Sequence, residues 1–169
     1  MSIASTPDAE DTGTAGRPMP ERVTATADGD LLTVLMPPGL AHLVPVRNHV
    51  RMWLAEQGVA VETARDIVTA ADEAVTNAVV HRYRPEVAAG SVEVSIRVET
   101  VDAGKAAIVL TVSDDGPWQL PAQGAAPDGG FNLPMIRVLA DRVDLRHEDG
   151  RSTLVARFPH RRSQGFPAL

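Results

Sequence analysis

The chain has 169 residues, 44% hydrophobic and 22% charged, enough for one domain with a real core. Its formal net charge is −6, the wrong sign for a protein that neutralises nucleic-acid phosphates with a basic face. It has no cysteine, which excludes disulfides, zinc–thiolate centres and thiol nucleophiles and suits a cytoplasmic setting.

Residues 1–28 are rich in Ser, Thr, Pro, Asp, Glu and Gly and read as a disordered arm. No basic head precedes an apolar run there, so nothing reads as a signal peptide. The longest uncharged stretch, Leu31 to Val46, is broken by Pro37, Pro38 and Pro45 and is no membrane helix of about 20 apolar residues. One domain is expected over 29–160, followed by a solvated tail, 161–169, that starts with Arg161 and Arg162.

Within the domain, "LLTVLMP" from Leu31 reads as a strand. "HLVPVRNHVRMWLAEQG" reads as a helix with Leu43, Val46, Val50, Trp53 and Leu54 on one face. Pro45 is tolerated in its first turn, and Gly58 is a stop. A second helix is expected from about Thr63 to Tyr83, ended by Pro85, with Ile67, Ala71, Ala74, Val75 and Ala78 as its apolar face. Two alternating strands follow: "SVEVSIRVE" with Val92, Val94, Ile96 and Val98, and "AIVLTVSDDG" with Ile108, Leu110 and Val112. A Gly- and Pro-rich loop spans Gly116 to Gly130, and a third helix starts near Leu133. "RVDLRH" and "RSTLVARF" are strands turned at Asp149-Gly150. The order β-α-α-β-β-α-β-β predicts an α+β two-layer sandwich, with an antiparallel or mixed, mostly antiparallel sheet and the helices on one face.

The second helix carries "DEAVTNAVVH", Asp72 to His81. Residues i and i+4 share a helix face, so Glu73, Asn77 and His81 form a polar stripe beside the apolar face. That position predicts a partly covered cleft. Alone, such a stripe is usually a solvated face. An Asp-Gly after a strand, as in "DDGPW" from Asp114, is usually a turn. The glycine pair of "GGFNLPMI", Gly129 to Ile136, is usually a loop. The three in this order are much more specific.

Together they resemble the GHKL ATPase superfamily (Bergerat, or histidine-kinase-like, fold), and within it the small anti-sigma-factor serine/threonine kinases. "DEAVTNAVVH" resembles the family's N box, "VSDDGPW" its first glycine box, "GGFNLPMI" its second, and "GRSTLVARF" its terminal Gly-Thr-Thr strand. The resemblance covers about residues 30–159 and implies ATP and Mg²⁺ as ligands. Asn77 would give Mg²⁺ an amide oxygen, and Glu73 would be the general base for a hydroxyl attacking the γ-phosphate. Asp114 would accept from the adenine amino group, and Gly116 would let the backbone approach the base. Gly129, Gly130, Asn132 and the amide of Leu133 would cradle phosphates at a helix N-terminus. Ser152 and Thr153 fall at the Thr-Thr positions, and Thr153 is taken as the binding residue. His81 either shapes the metal end of the stripe or closes the helix as a C-terminal cation. Arg47 lies where the family's first helix often carries a partner-contacting arginine, and it reads equally as an ordinary exposed arginine. The implied partners are a sigma factor and a small phosphorylatable antagonist protein, with the kinase a homodimer.

The chain departs from the pattern at three places. Trp118 and Asn132 replace second glycines of the two boxes, and Phe131 replaces a common arginine. The expected lid, Gln119 to Asp128, has no cation. Weaker nucleotide binding is implied, and a module that sequesters a sigma factor or other regulator without phosphoryl transfer stays open as the alternative.

Overall fold

Hydrophobic alternation lays down the sheet. The structure, a computed structural model, describes residues 20–82, 90–115 and 133–162. Six strands, β1 (Thr24–Asp28), β2 (Leu31–Met36), β3 (Val92–Asp102), β4 (Lys105–Asp114), β5 (Arg142–Glu148) and β6 (Arg151–Pro159), form one sheet in the order β1-β2-β3-β4-β6-β5. Every pairing between them is antiparallel. The register stacks one apolar face: Val34 opposite Val94, Val94 opposite Val112, and Val112 opposite Leu154. A second row joins Leu32, Ile96, Leu110 and Ala156 across the same four strands.

Three helices cover that face: α1 (Leu43–Glu56), α2 (Val61–Arg82) and α3 (Leu133–Leu139). A 3-10 turn, Leu40–His42, leads into α1. Val46, Val50, Trp53 and Leu54 of α1 are buried, as the periodicity predicts, and Leu43 packs partly against the core. α2 packs on α1, α3 and strands β3, β4 and β6, so it is the central helix of the layer. The two-layer α+β sandwich expected from the sequence is the one observed.

Turn chemistry explains the corners. Asp149 and Gly150 both have positive φ, 51° and 73°, as a two-residue hairpin turn requires. Gly58 ends α1 with φ 67°. Its amide donates to Ala55 O at 3.0 Å while that of Val59 donates to Leu54 O at 3.1 Å, the paired bonds of a Schellman cap. The next backbone bonds tie the chain's end to this corner: Ala60 N donates to Arg161 O at 2.7 Å, and Val59 bridges Arg162. The side chains of Arg161 and Arg162 are exposed, but their backbone is held.

One strand was not foreseen. Residues 24–28, assigned to the arm by composition, form β1 along the edge of β2. All five are exposed, so no hydrophobic alternation marks them; what remains is the β propensity of Thr24 and Thr26. Residues 1–19 of the arm and 163–169 of the tail lie outside the described residues.

The sheet's other face is polar, yet Val109 on it is 1% exposed. Its cross-strand neighbours are Arg97 and Arg157. Arg157 reaches over β4 to Glu99 at 3.0 Å, and Arg97 meets the same carboxyl oxygen at 3.1 Å. The arginine stems thereby roof the valine. The hydrogen bond from Arg157 holds the Glu99 carboxyl below its usual range.

A Cβ at Gly58 meets nothing within 4 Å, so Gly58→Ala isolates the backbone cost of positive φ. Urea denaturation should show a loss of about 1 kcal/mol with an unchanged m-value.

Candidate functional site

The small side chains of α2 bring it onto the sheet. Ala70, Ala71, Ala74 and Ala78 are all buried, and none extends beyond a methyl group. A face of this kind permits close helix–sheet approach, because packing distance follows side-chain size. Asn77, on the turn between Ala74 and Ala78, is thereby carried into the interior and is 6% exposed. Asp114, the last residue of β4, is 2% exposed. The two line one small cleft with Ala74, Ala78, Val112, Leu145 and Leu154. Glu73 lies one helical turn before Asn77 and is half-buried. The backbone of α2 continues through His81, whose side chain lies outside the described residues.

Strand parity decides what faces this cleft. Asp114 is paired with Ser152, which is 2% exposed and shares a hydrogen bond with His147 Nδ1 at 3.0 Å. Ser113 is paired with Thr153, and their hydroxyls meet at 3.1 Å. Side chains alternate along a strand, so Ser152 shares the cleft side with Leu154, and Thr153 turns to the opposite face. Of the two hydroxyl residues, Ser152 is the one paired with Asp114, and Thr153, the expected binding residue, is paired with Ser113.

Two further contacts hold the site's frame. Asp115 ties the exit of β4 to the start of β3: one carboxyl oxygen accepts from the Ser91 amide and the other from Ser91 Oγ at 3.2 Å. Arg47 on α1 reaches Asp72 on α2, with Nε and a terminal nitrogen 2.9 and 2.7 Å from the same carboxyl oxygen. The arginine left open by the sequence is thus engaged immediately beside Glu73. Neither contact was legible beforehand. The run "DDG" does not mark which aspartate braces the strand, and Arg47 gives no sequence signal of its partner 25 residues away.

Leu133 is the first residue of α3 and packs partly against the core, while Ile136 is fully buried. Gly116, Gly129, Gly130 and Asn132 lie outside the described residues, as do Trp118, Phe131 and the lid between them. Of the predicted set, the structure therefore brings Asn77 and Asp114 into one cleft, with Glu73 one helical turn from Asn77. Among the described residues no three His, Asp or Glu side chains cluster as a metal site. The oxygen available near the stripe's centre is an uncharged amide, a donor suited to Mg²⁺ that arrives with nucleotide phosphates. No helix among them is long and apolar enough to cross a membrane.

Residues 36–158 match the family of histidine kinase-like ATPase domains, and the chain belongs to that family. The superfamily resemblance carried by the motifs is thereby borne out. Among solved structures, the RsbU and RsbW domains of Rv1364c from Mycobacterium tuberculosis align at 24% identity with a TM-score of 0.57. The alignment covers 81% of this chain and 34% of that one, so the chain spans about a third of that protein's length. The histidine kinase domain of a blue-light activated histidine kinase from Erythrobacter litoralis aligns at 20% identity with a TM-score of 0.43, covering 74% of this chain and 62% of that one. At 24% identity the first likeness is one of fold.

The Arg47–Asp72 side chains are 31% and 26% exposed, so their attraction is screened. A double-mutant cycle with Arg47→Ala and Asp72→Ala should give a coupling of about 0.5–1 kcal/mol. A value near zero would show that the pair does not hold α1 to α2.

Proposed function

We propose that the protein is an anti-sigma regulator that binds Mg-ATP in the cleft between α2 and β4 and phosphorylates a serine or threonine of a protein antagonist. The observation that carries this reading is the shared cleft of Asn77 and Asp114, with Glu73 one turn away. An almost fully buried carboxylate beside a buried amide is costly in a core and useful in a site that takes a polar ligand.

Each residue has a distinct task. Asp114 accepts only, when ionised, so it selects a base that offers an amino group and rejects one that offers a carbonyl. Ser152, beside it, supplies a hydroxyl that can donate to or accept from the same ligand edge. Asn77 would hold Mg²⁺ through its amide oxygen, and the ion would neutralise charge on the β- and γ-phosphates. Glu73, one helical turn before Asn77, would be the general base. As the substrate hydroxyl oxygen bonds to the γ-phosphorus, the bond to the ADP oxygen breaks and the hydroxyl proton passes to Glu73. The serine/threonine specificity, the sigma factor, the antagonist and the homodimer come from the motif resemblance, and a chain without cysteine suits a cytoplasmic setting.

Calorimetric titration with Mg-ATP tests the site. Binding should require Mg²⁺, and Asn77→Ala should weaken it by about tenfold or more, the scale of one lost charge-assisted contact. No binding at millimolar Mg-ATP overturns the nucleotide reading and leaves a module that sequesters its partner without phosphoryl transfer.

Transfer of radiolabelled phosphate from ATP to a candidate antagonist separates binding from chemistry. Glu73→Ala should keep ATP affinity within a few-fold and lower transfer by about 10²–10⁴-fold. Equal loss of binding and transfer would assign Glu73 to binding instead.

A further inference from the structure

The sheet extends the cleft by one row. Val112, Leu154 and Leu145 are paired across β4, β6 and β5, and all three line the cleft. Two residues along each strand, in the next row on the same face, come Asp114, Ser152 and His147. Ser152 is 2% exposed, and its Oγ lies 3.0 Å from Nδ1 of His147, an exposed residue of the edge strand. The pair therefore joins solvent to the inside of the cleft.

A serine hydroxyl has one proton to give, whereas imidazole Nδ1 either donates or accepts. With His147 protonated, Nδ1–H donates to Ser152 Oγ, and the hydroxyl proton is left for the cleft. With His147 neutral and its proton on Nε2, Nδ1 accepts that hydroxyl proton, and Ser152 offers the cleft an acceptor. Imidazole is the side chain whose charge ordinarily changes between about pH 5 and 8. Most charged neighbours stand on the sheet's other face: Arg142, Asp144, Arg146 and Glu148 of β5 and Arg151 and Arg157 of β6 all have the opposite parity. Asp114 of β4 shares the face of His147, with Glu73 of α2 and the exposed Arg137 of α3 in the helix layer over it.

We propose that His147 is a positioning residue: its protonation state sets whether Ser152 donates to the bound base, and so couples Mg-ATP affinity to pH. The inference rests on the nucleotide reading above. Adenine presents its amino group beside a ring nitrogen that only accepts. Asp114 takes the amino proton, so a donor is wanted next to it. Ser152, paired with Asp114, supplies that donor directly or through one bridging water when His147 is protonated. Binding therefore tightens as pH falls through the range in which imidazole gains its proton.

Calorimetric titration of Mg-ATP into the full chain at about pH 6 and about pH 8 tests the coupling, with Ser152→Ala and His147→Asn alongside. Ionisation of ATP itself is common to the three proteins and cancels in their comparison. Between pH 8 and pH 6 the wild-type protein should gain about three- to tenfold more affinity than Ser152→Ala does, the worth of one neutral hydrogen bond. Asparagine carries its amide nitrogen in the place of Nδ1 and donates at either pH. His147→Asn should therefore lose the extra pH response and, at pH 8, bind more tightly than the wild type. An equal pH response in Ser152→Ala would show that the imidazolium acts by its charge alone, which overturns the inference. His147→Asn binding no better than the wild type at pH 8 overturns it as well. Both of these outcomes leave the nucleotide reading intact. No binding by any of the three at millimolar Mg-ATP overturns that reading, and the inference falls with it.

Discussion

Everything in this structure depends on how closely α2 lies against the sheet. Four buried alanines line the contact, and Ile67 and Val75 anchor it with larger side chains. The arrangement gives up some apolar area per residue in exchange for proximity. That proximity places an asparagine amide and an aspartate carboxyl from opposite layers in one cleft. A leucine at Ala74 or Ala78 would still be hydrophobic and still helical, and it would fill the space those two groups share. The chemistry is thus set by what the helix lacks as much as by what it carries.

The two ends of the cleft are held by different means. At the sheet end, Asp115 clips the exit of β4 to Ser91, so Asp114 stands on a backbone fixed on both sides. At the helix end, the Arg47–Asp72 contact joins α1 to α2 just before Glu73. Each supporting aspartate directly neighbours a proposed functional carboxylate in sequence. The pairs Asp72-Glu73 and Asp114-Asp115 therefore divide labour, one carboxylate holding the frame and its neighbour facing the site. On a helix or strand, adjacent residues point in different directions, which makes this division simple to build.

Much of this was legible in the sequence, for reasons that differ by element. β2, β3 and β6 alternate because one of their faces is buried, β4 departs from alternation where Val109 and Ser113 are buried as well, and α1 and α2 show a helical period. β1 escaped because an edge strand with all five residues exposed carries no burial signal. Motif position points to Thr153 as much as to Ser152. The alternation of Leu154, Ala156 and Phe158 along β6 already assigned the cleft parity to Ser152. Arg47 and Asp115 find their partners only through folding, and no local pattern marks them.

The sheet order also has a kinetic side. β1 to β4 are sequential neighbours, and within that run only the step from β2 to β3 crosses the two long helices. The β4–β6 ladder instead waits for the whole excursion through α3 and β5 before Asp114 meets Ser152. Loop-closure entropy opposes such distant pairing, and contacts of this kind slow folding. The wall that completes the cleft is therefore set by a non-local ladder, exceeded among the sheet's pairings only by that of β2 and β3. A chain caught before that ladder zips up has its hairpins and its helices but no assembled site, and it leaves one side of β4 open to pairing with a stranger.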